Sequence, residues 1–442
     1  MKSILKKFTI SRLYGERDVS IDFSSNIKIL VAENGYGKTT ILNALFGVLS
    51  GDLAKLRKID FQSISIEFND NEKFIIHHNE LKISGDRFKK HGFIEHLIKR
   101  IGEDKVLKLL DSYFALKQQQ FLRSSILRDV SESIDFPAGQ LANMLKDMAS
   151  STKGLKDVIK GREKLKRIKE KFNLNIVYLP TYRRVEQDFE ELSNKDNADF
   201  SDDHSINFGM RDVTQRFEEI TKEIISSSVK WFSIVNGKML SQLIEGFKVD
   251  DDMRNSIKNP DAIKIVLDRI GNNIEESYKN EIIRLVETQE IFIGHEPLVY
   301  FISNLVKVYA EQQSNDKAIM EFSEVCNRYL VDKKIDYNES KVTIDIVRRK
   351  NDHPVDIEHL SSGEKQIISL FARLYLKREN NLAIFFDEPE LSLSMEWQKS
   401  LLPDILNSKK CDFLFTTTHS PFIFENELSK HTVDLAHYIK EL

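Results

Sequence analysis

Cysteine is nearly absent: there are two in 442 residues, Cys326 and Cys411, far apart in the chain. Neither a disulfide framework nor a zinc site can be built from them, as expected of a protein in a reducing compartment. Charge of one sign is also lacking. Lys and Arg total 65 against 69 Asp and Glu, a net charge of -4. No overall pull toward nucleic acid follows, which leaves only a local basic patch as a route to it. No apolar run is long enough to span a membrane, and Met1 to Phe8 is charged rather than leader-like. These absences predict a soluble cytoplasmic protein with no membrane partner. Hydrophobic residues make up 41%, enough for a well-buried core, and the charged fraction of 30% suggests long solvated helices.

The two ends of the chain read as α/β. In residues 1–50, Ile21, Phe23, Ile27, Ile29 and Val31 pattern as buried strands, and a helix is expected from about Thr39 to Leu49. Residues 57–83 alternate again (Ile64, Ile66, Phe68, then Phe74 and Ile76) around the turn Asn69-Asp70-Asn71, predicting a small antiparallel sheet. From about residue 90 to 334 helical periodicity dominates and Gly and Pro are sparse. Two features interrupt it. The segment Asn175 to Pro180 is strand-like and is expected to return to the core sheet near 175–184. Residues 186–203 are acidic and polar, as an exposed loop is. A basic helix carries Leu155, Ile159, Leu165, Ile168 and Phe172 near one face. From about 335 the α/β pattern resumes, with strands at 342–346, 382–386 and 413–417 and helices at 362–376 and 396–406. Three divisions follow: an N-terminal lobe at 1–89, a helical insert at 90–334 for self-association or partner binding, and a C-terminal lobe at 335–442.

Four motifs lie in the two lobes. The first is Ala32-Glu33-Asn34-Gly35-Tyr36-Gly37-Lys38-Thr39, followed by Thr40, set between a strand and a helix. Such a glycine turn aims backbone N–H groups at phosphate oxygens, and the helix start adds partial positive charge. Lys38 is expected to reach the β- and γ-phosphates of ATP, and the Thr39 hydroxyl to ligate Mg²⁺. Ala32 stands where the usual pattern has Gly. The second motif is an apolar strand, Leu382 to Phe386, ending in Asp387 and Glu388. Asp387 is expected to hold Mg²⁺, and Glu388 to act as general base on the attacking water. The third, Ser361-Ser362-Gly363-Glu364, opens a helix. It is an anion site by its exposed N–H groups and equally a capping box. The fourth is His419, at the end of a strand.

The order of these motifs resembles the ATP-binding-cassette superfamily, with Ser361 to Glu364 in the place of its signature and His419 in that of its switch histidine. The likeness covers roughly residues 1–85 and 335–425. It implies an α/β nucleotide-binding domain, a mixed sheet with flanking helices and an antiparallel β subdomain, carrying a large helical insert. It also implies a Mg-dependent ATPase that works at least as a dimer, with each signature facing the ATP held by the other copy. The run Asp387-Glu388-Pro389-Glu390-Leu391-Ser392-Leu393-Ser394 resembles the overcoming-lysogenisation, RecF and Rad50-like branch, although Ser394 replaces a histidine there. Tyr178 to Arg184 looks like the same branch, with Arg183 or Arg184 either touching phosphate or a second subunit, or forming a surface salt bridge.

Within that branch the chain looks like the AriA ATPases of PARIS anti-phage systems, and nearly as much like the PtuA ATPases of Septu systems. That resemblance implies a homo-oligomeric sensor, a phage-encoded trigger protein and a separate nuclease effector, of Toprim (AriB-like) or HNH type. About twenty residues follow His419, too few for a nuclease of its own. Asp250-Asp251-Asp252 reads as a solvated acidic loop rather than a metal site. Two other functions compete. One is a RecF- or Rad50-like repair ATPase gripping DNA through the basic helix. The other is a transporter subunit, disfavoured by the insert and by the loop after Glu388.

Overall fold

The computed structural model describes residues 3–442 except 34, 82–91, 117, 152, 181–209, 271–272 and 378. Asn34, the segment Thr181 to Arg184 and the acidic loop 186–203 therefore lie outside the described residues.

Two five-stranded sheets organise the molecule. One is antiparallel and runs in the order β12-β2-β1-β4-β5. It comprises β1 (Leu5–Leu13), β2 (Arg17–Asp22), β4 (Ser63–Phe68), β5 (Lys73–His77) and β12 (Ile439–Glu441). The expected turn at Asn69-Asp70-Asn71 joins β4 to β5, with Asn71 at φ 67. The other sheet is parallel throughout, in the order β11-β3-β10-β9-β6. Its strands are β3 (Ile27–Val31), β6 (Asn175–Leu179), β9 (Leu382–Asp387), β10 (Cys411–Thr418) and β11 (Thr432–Asp434). The strand-like interruption of the helical middle is thus β6, on the edge beside β9.

Alternation along the parallel strands sends side chains to two cores, as a sheet covered on both faces requires. Ile176, Tyr178, Ala383, Phe385, Phe413 and Phe415 face the antiparallel sheet and the helix Lys38–Ser50. Val177, Leu179, Ile384, Phe386 and Leu414 face the helices Met210–Glu245, Glu296–Tyr329, Ser362–Phe371 and Met395–Asn407. Burying such apolar surface contributes about 25 cal/mol per Å². The helical middle holds two further apolar clusters, one over Ile94–Leu145 and one over Ile257–Ile302. Between them the chain rejoins the sheets through the helix Lys153–Phe172 and β6.

That basic helix is not an open cationic face. Leu165, Ile168 and Phe172 are buried in the core between the sheets. Lys164 binds Glu80 at 2.7 Å, Arg167 binds Glu72 at 3.0 Å, and Lys171 pairs with both Asp70 and Glu72. The acidic β4–β5 turn thus offsets two of the helix's cations and Glu80 a third. The strand expected at 342–346 is β8 (Thr343–Arg348), half of a separate hairpin with β7 (Lys333–Asn338). No helix among the described residues is long and apolar enough to cross a membrane.

Candidate functional site

The carboxyl-terminal ends of β3, β9 and β10 meet on one edge of the parallel sheet, where ligands of open α/β sheets bind. After β3 the chain turns through Ala32 to Gly37. Gly35 and Gly37 take φ +94° and +81°, and a Cβ on either would meet nothing within 4 Å. Backbone conformation, not crowding, therefore demands glycine at both. Gly37 is the residue before the helix Lys38–Ser50 and makes no side-chain cap, so the first N–H groups of that helix are left for a ligand. Lys38 is buried and curls back over the loop, donating to the carbonyls of Ala32 at 2.6 Å and Glu33 at 3.2 Å. Glu33, Gly35 and Tyr36 are exposed, and Thr39 and Thr40 are half-buried at the helix start.

Asp387 ends β9 and is buried; its Oδ1 accepts from the Thr417 hydroxyl at 2.7 Å. Its other oxygen has no hydrogen-bond partner among the described residues, and neither has the Thr39 hydroxyl. Hydroxyl and carboxylate oxygens form a hard donor set, so Thr39 and Asp387 fit Mg²⁺. The next residue, Glu388, has φ 49°, a left-handed conformation that is strained for a non-glycine residue and recurs at functional sites. Its N–H donates to the Thr417 carbonyl at 2.9 Å. Burial first, and then the charges of Asp387 and Glu390, push its carboxyl above the usual range, while His419 and Lys38 pull it down. Asp387, Glu390, His419 and Lys38 are thus the charged neighbours of Glu388.

The end of β10 is a ladder of buried hydroxyls. Thr416 donates to the Phe386 carbonyl at 3.0 Å, Thr417 to Asp387 and Thr418 to Glu390 at 2.8 Å. His419 follows, its side chain 43% exposed, with Nδ1 2.8 Å from Glu390 Oε1. The His419 N–H donates to that same oxygen at 2.9 Å. Glu390 lies inside the run Asp387 to Ser394 and the three threonines directly precede His419 in its motif, but sequence alone assigned neither a role.

The signature residues sit apart from this cluster. Ser361 accepts from the Glu364 N–H at 3.3 Å and Glu364 accepts from the Ser361 N–H at 2.8 Å, the expected capping box. Glu364 is buried, and its carboxylate also takes Lys333 at 2.9 Å, so its carboxylate is committed to bracing the helix start. Gly363 is buried as well: a Cβ there would collide with the Ser392 carbonyl and come within 3.2 Å of Trp397. Ser361 and Ser362 are exposed. Among the described residues, no side chain of Ser361 to Glu364 bonds to Lys38, Asp387, Glu388 or His419. Ser394, standing where the resembled branch has histidine, caps the helix Met395–Asn407.

A family model described as "AAA ATPase domain" matches residues 4–424. The "Retron Ec83 probable ATPase" of Escherichia coli is 30% identical over 105 residues, 21% of this chain and 18% of that protein. The chain therefore aligns with under a fifth of that relative's length. Two solved structures are similar. One is the Smc head domain of Pyrococcus furiosus with an extended coiled coil bound to the ScpA C-terminal domain (TM-score 0.35, 13% identity, 99% of this chain and 96% of that one). The other is the Smc head domain of Pyrococcus yayanosii with a coiled coil and joint (TM-score 0.30, 14% identity, 95% and 93%). At such scores the two likenesses say nothing about assembly.

Proposed function

The chain belongs to the AAA ATPase domain family, and on that premise we propose that it hydrolyses ATP at composite sites between two copies of itself. The observation that carries this reading is the division of labour on the surface. Phosphate loop, acidic pair and histidine share one sheet edge, while Ser361 and Ser362 at the signature helix start are exposed and their side chains bond to none of these groups. A second copy is the natural supplier of the missing anion site.

In the proposed reaction the N–H groups of Gly35 to Lys38 cradle the phosphates. Lys38 exchanges its loop carbonyls for β- and γ-phosphate oxygens. Thr39 and Asp387 would hold Mg²⁺, which would supply charge neutralisation. Glu388 orients a water and takes its proton as the water oxygen bonds to the γ-phosphorus. The bond to the bridging oxygen breaks, and ADP leaves. His419 contacts the γ-phosphate from the end of β10. The N–H groups at Ser361 and Ser362 of the second copy face it from across the interface.

The wider role we infer is that of a sensor or scaffold in a two-component anti-phage system, holding and releasing a separate nuclease. It rests on the motif resemblance, with the segment shared with a retron's probable ATPase as support. The DNA-gripping reading is weakened, because Lys164, Arg167 and Lys171 of the basic helix are paired within the chain.

Trans-complementation tests the composite site. Lys38→Ala and the exposed-site variant Ser362→Arg should each be inactive alone. Mixed, they form heterodimers with one site intact, returning about a quarter of wild-type ATPase activity under random exchange. Continued inactivity of the mixture, with both variants folded, refutes the shared site.

A further inference from the structure

The geometry points to Glu390 as the positioning residue that selects the tautomer of His419 and aims its Nε2 at the nucleotide edge. The inference deepens the ATPase reading and rests on it for its catalytic consequence, but the ring geometry stands by itself. Glu390 is 5% exposed, and both of its oxygens are used. Oε2 accepts from the Thr418 hydroxyl at 2.8 Å. Oε1 accepts from the backbone N–H of His419 at 2.9 Å and lies 2.8 Å from that residue's Nδ1. Thus one buried carboxylate grips the residue at two points and the residue before it at a third.

An ionised carboxylate only accepts hydrogen bonds. The Nδ1 facing it must therefore carry the hydrogen, which leaves Nε2 as the nitrogen available to a ligand. A histidine's free nitrogen is set by what the other one bonds to. In a site that closes on a γ-phosphate this choice matters twice. It keeps the ring from rotating away in the nucleotide-free state. It also lets Nε2 act as the one variable contact, accepting from a water when neutral and donating to phosphate when protonated. The backbone bond prevents the ring and the chain end of β10 from moving separately.

Glu390 is delivered here by the loop after β9, and His419 by the end of β10. The parallel pairing of β9 with β10, with Thr417 opposite Asp387, brings the two segments together. Gln398 steadies the arrangement from below. Its Nε2 donates to the Leu393 carbonyl at 3.0 Å, and its Oε1 accepts from the Ser420 hydroxyl at 2.6 Å.

The test uses the full chain with ¹⁵N-labelled histidine, comparing wild type, Glu390→Leu, Thr418→Val and, to assign the signals, His419→Gln. At alkaline pH the wild-type His419 ring should show hydrogen on Nδ1. Glu390→Leu, which removes the acceptor that holds the Nδ1 hydrogen, should populate the Nε2–H form. It should also lower kcat for ATP about 10- to 100-fold, with KM moving less than about threefold. Thr418→Val removes a different donor to the same carboxylate and should keep the wild-type tautomer. A wild-type ring protonated on Nε2 overturns the proposal, and that reading needs no variant to fold. So does a folded Glu390→Leu protein with unchanged ring signals, or one whose ring and kcat change no more than in Thr418→Val. If wild type shows the Nδ1–H ring but no ATP turnover, the hydrolysis reading fails and the positioning role of Glu390 survives.

Discussion

The helix starts at Lys38 and at Ser362 share a recipe of glycine beside small polar residues, yet they use glycine for opposite reasons. At the phosphate loop the glycines adopt left-handed backbone in open space. At the signature, Gly363 has ordinary backbone but no room, because Ser392 and Trp397 press against its α-carbon. The first glycines shape a surface for a ligand. The second lets the helix seat against Ser392, on the loop that follows the acidic pair. A motif letter therefore does not reveal whether glycine serves a ligand or a neighbour. Backbone angle and clearance do.

The comparison is broken most directly at Lys38. Lys38→Ala should lower ATP affinity about 100-fold or more, since the loop loses its one point charge on the phosphates. Titration calorimetry showing unchanged affinity removes the loop from the site. Glu388→Gln should slow turnover about 100-fold or more while ATP stays bound. Size-exclusion in ATP should then show larger species, and a normal rate with no shift would clear Glu388 of the role of base. Paired glycine variants sharpen the contrast at smaller amplitude. Gly363→Ala should cost about 1–3 kcal/mol of stability by overpacking, read as a lower Tm, with ATP affinity held within about threefold. Gly37→Ala should weaken ATP about tenfold, since an αL strain of about 1–2 kcal/mol falls on the loop itself. The reverse pattern would show that the two glycines have been assigned the wrong way round. Last, deleting residues 190–203 should leave ATPase activity within about twofold, as expected of an acidic, polar segment that carries none of the four motifs. Its effect should appear in pull-downs with the neighbouring gene product and with phage proteins. Undiminished recovery there makes the segment a spacer.

What could be read from sequence was whatever is local in sequence. The loop from Gly35 to Lys38 and the end of β9 announce themselves because turn chemistry and phosphate binding need adjacent residues. The grip of Glu390 on His419 joins loops from neighbouring strands, and no periodicity encodes that. Pairing of Lys164, Arg167 and Lys171 with the β4–β5 turn and Glu80 was hidden for the same reason, so the basic helix looked more available than it is. β11 and β12 were missed because three-residue strands have no alternation to detect. Each nevertheless adds an edge, one to each sheet. The helical middle read correctly as helix, but its two apolar clusters could not be told apart from periodicity alone.

The neighbours of β3 carry a consequence for biosynthesis. The strand that launches the phosphate loop is flanked by β10 and β11, both made hundreds of residues later. Closing so long a loop is slow, and strand pairing across it adds to the delay. On a ribosome the loop after β3 emerges several hundred residues before the strands that flank β3 in the sheet. A fragment ending before Cys411 should leave β3 open to limited proteolysis and should not bind ATP. Protection of β3 in such a fragment would show that it finds another partner first.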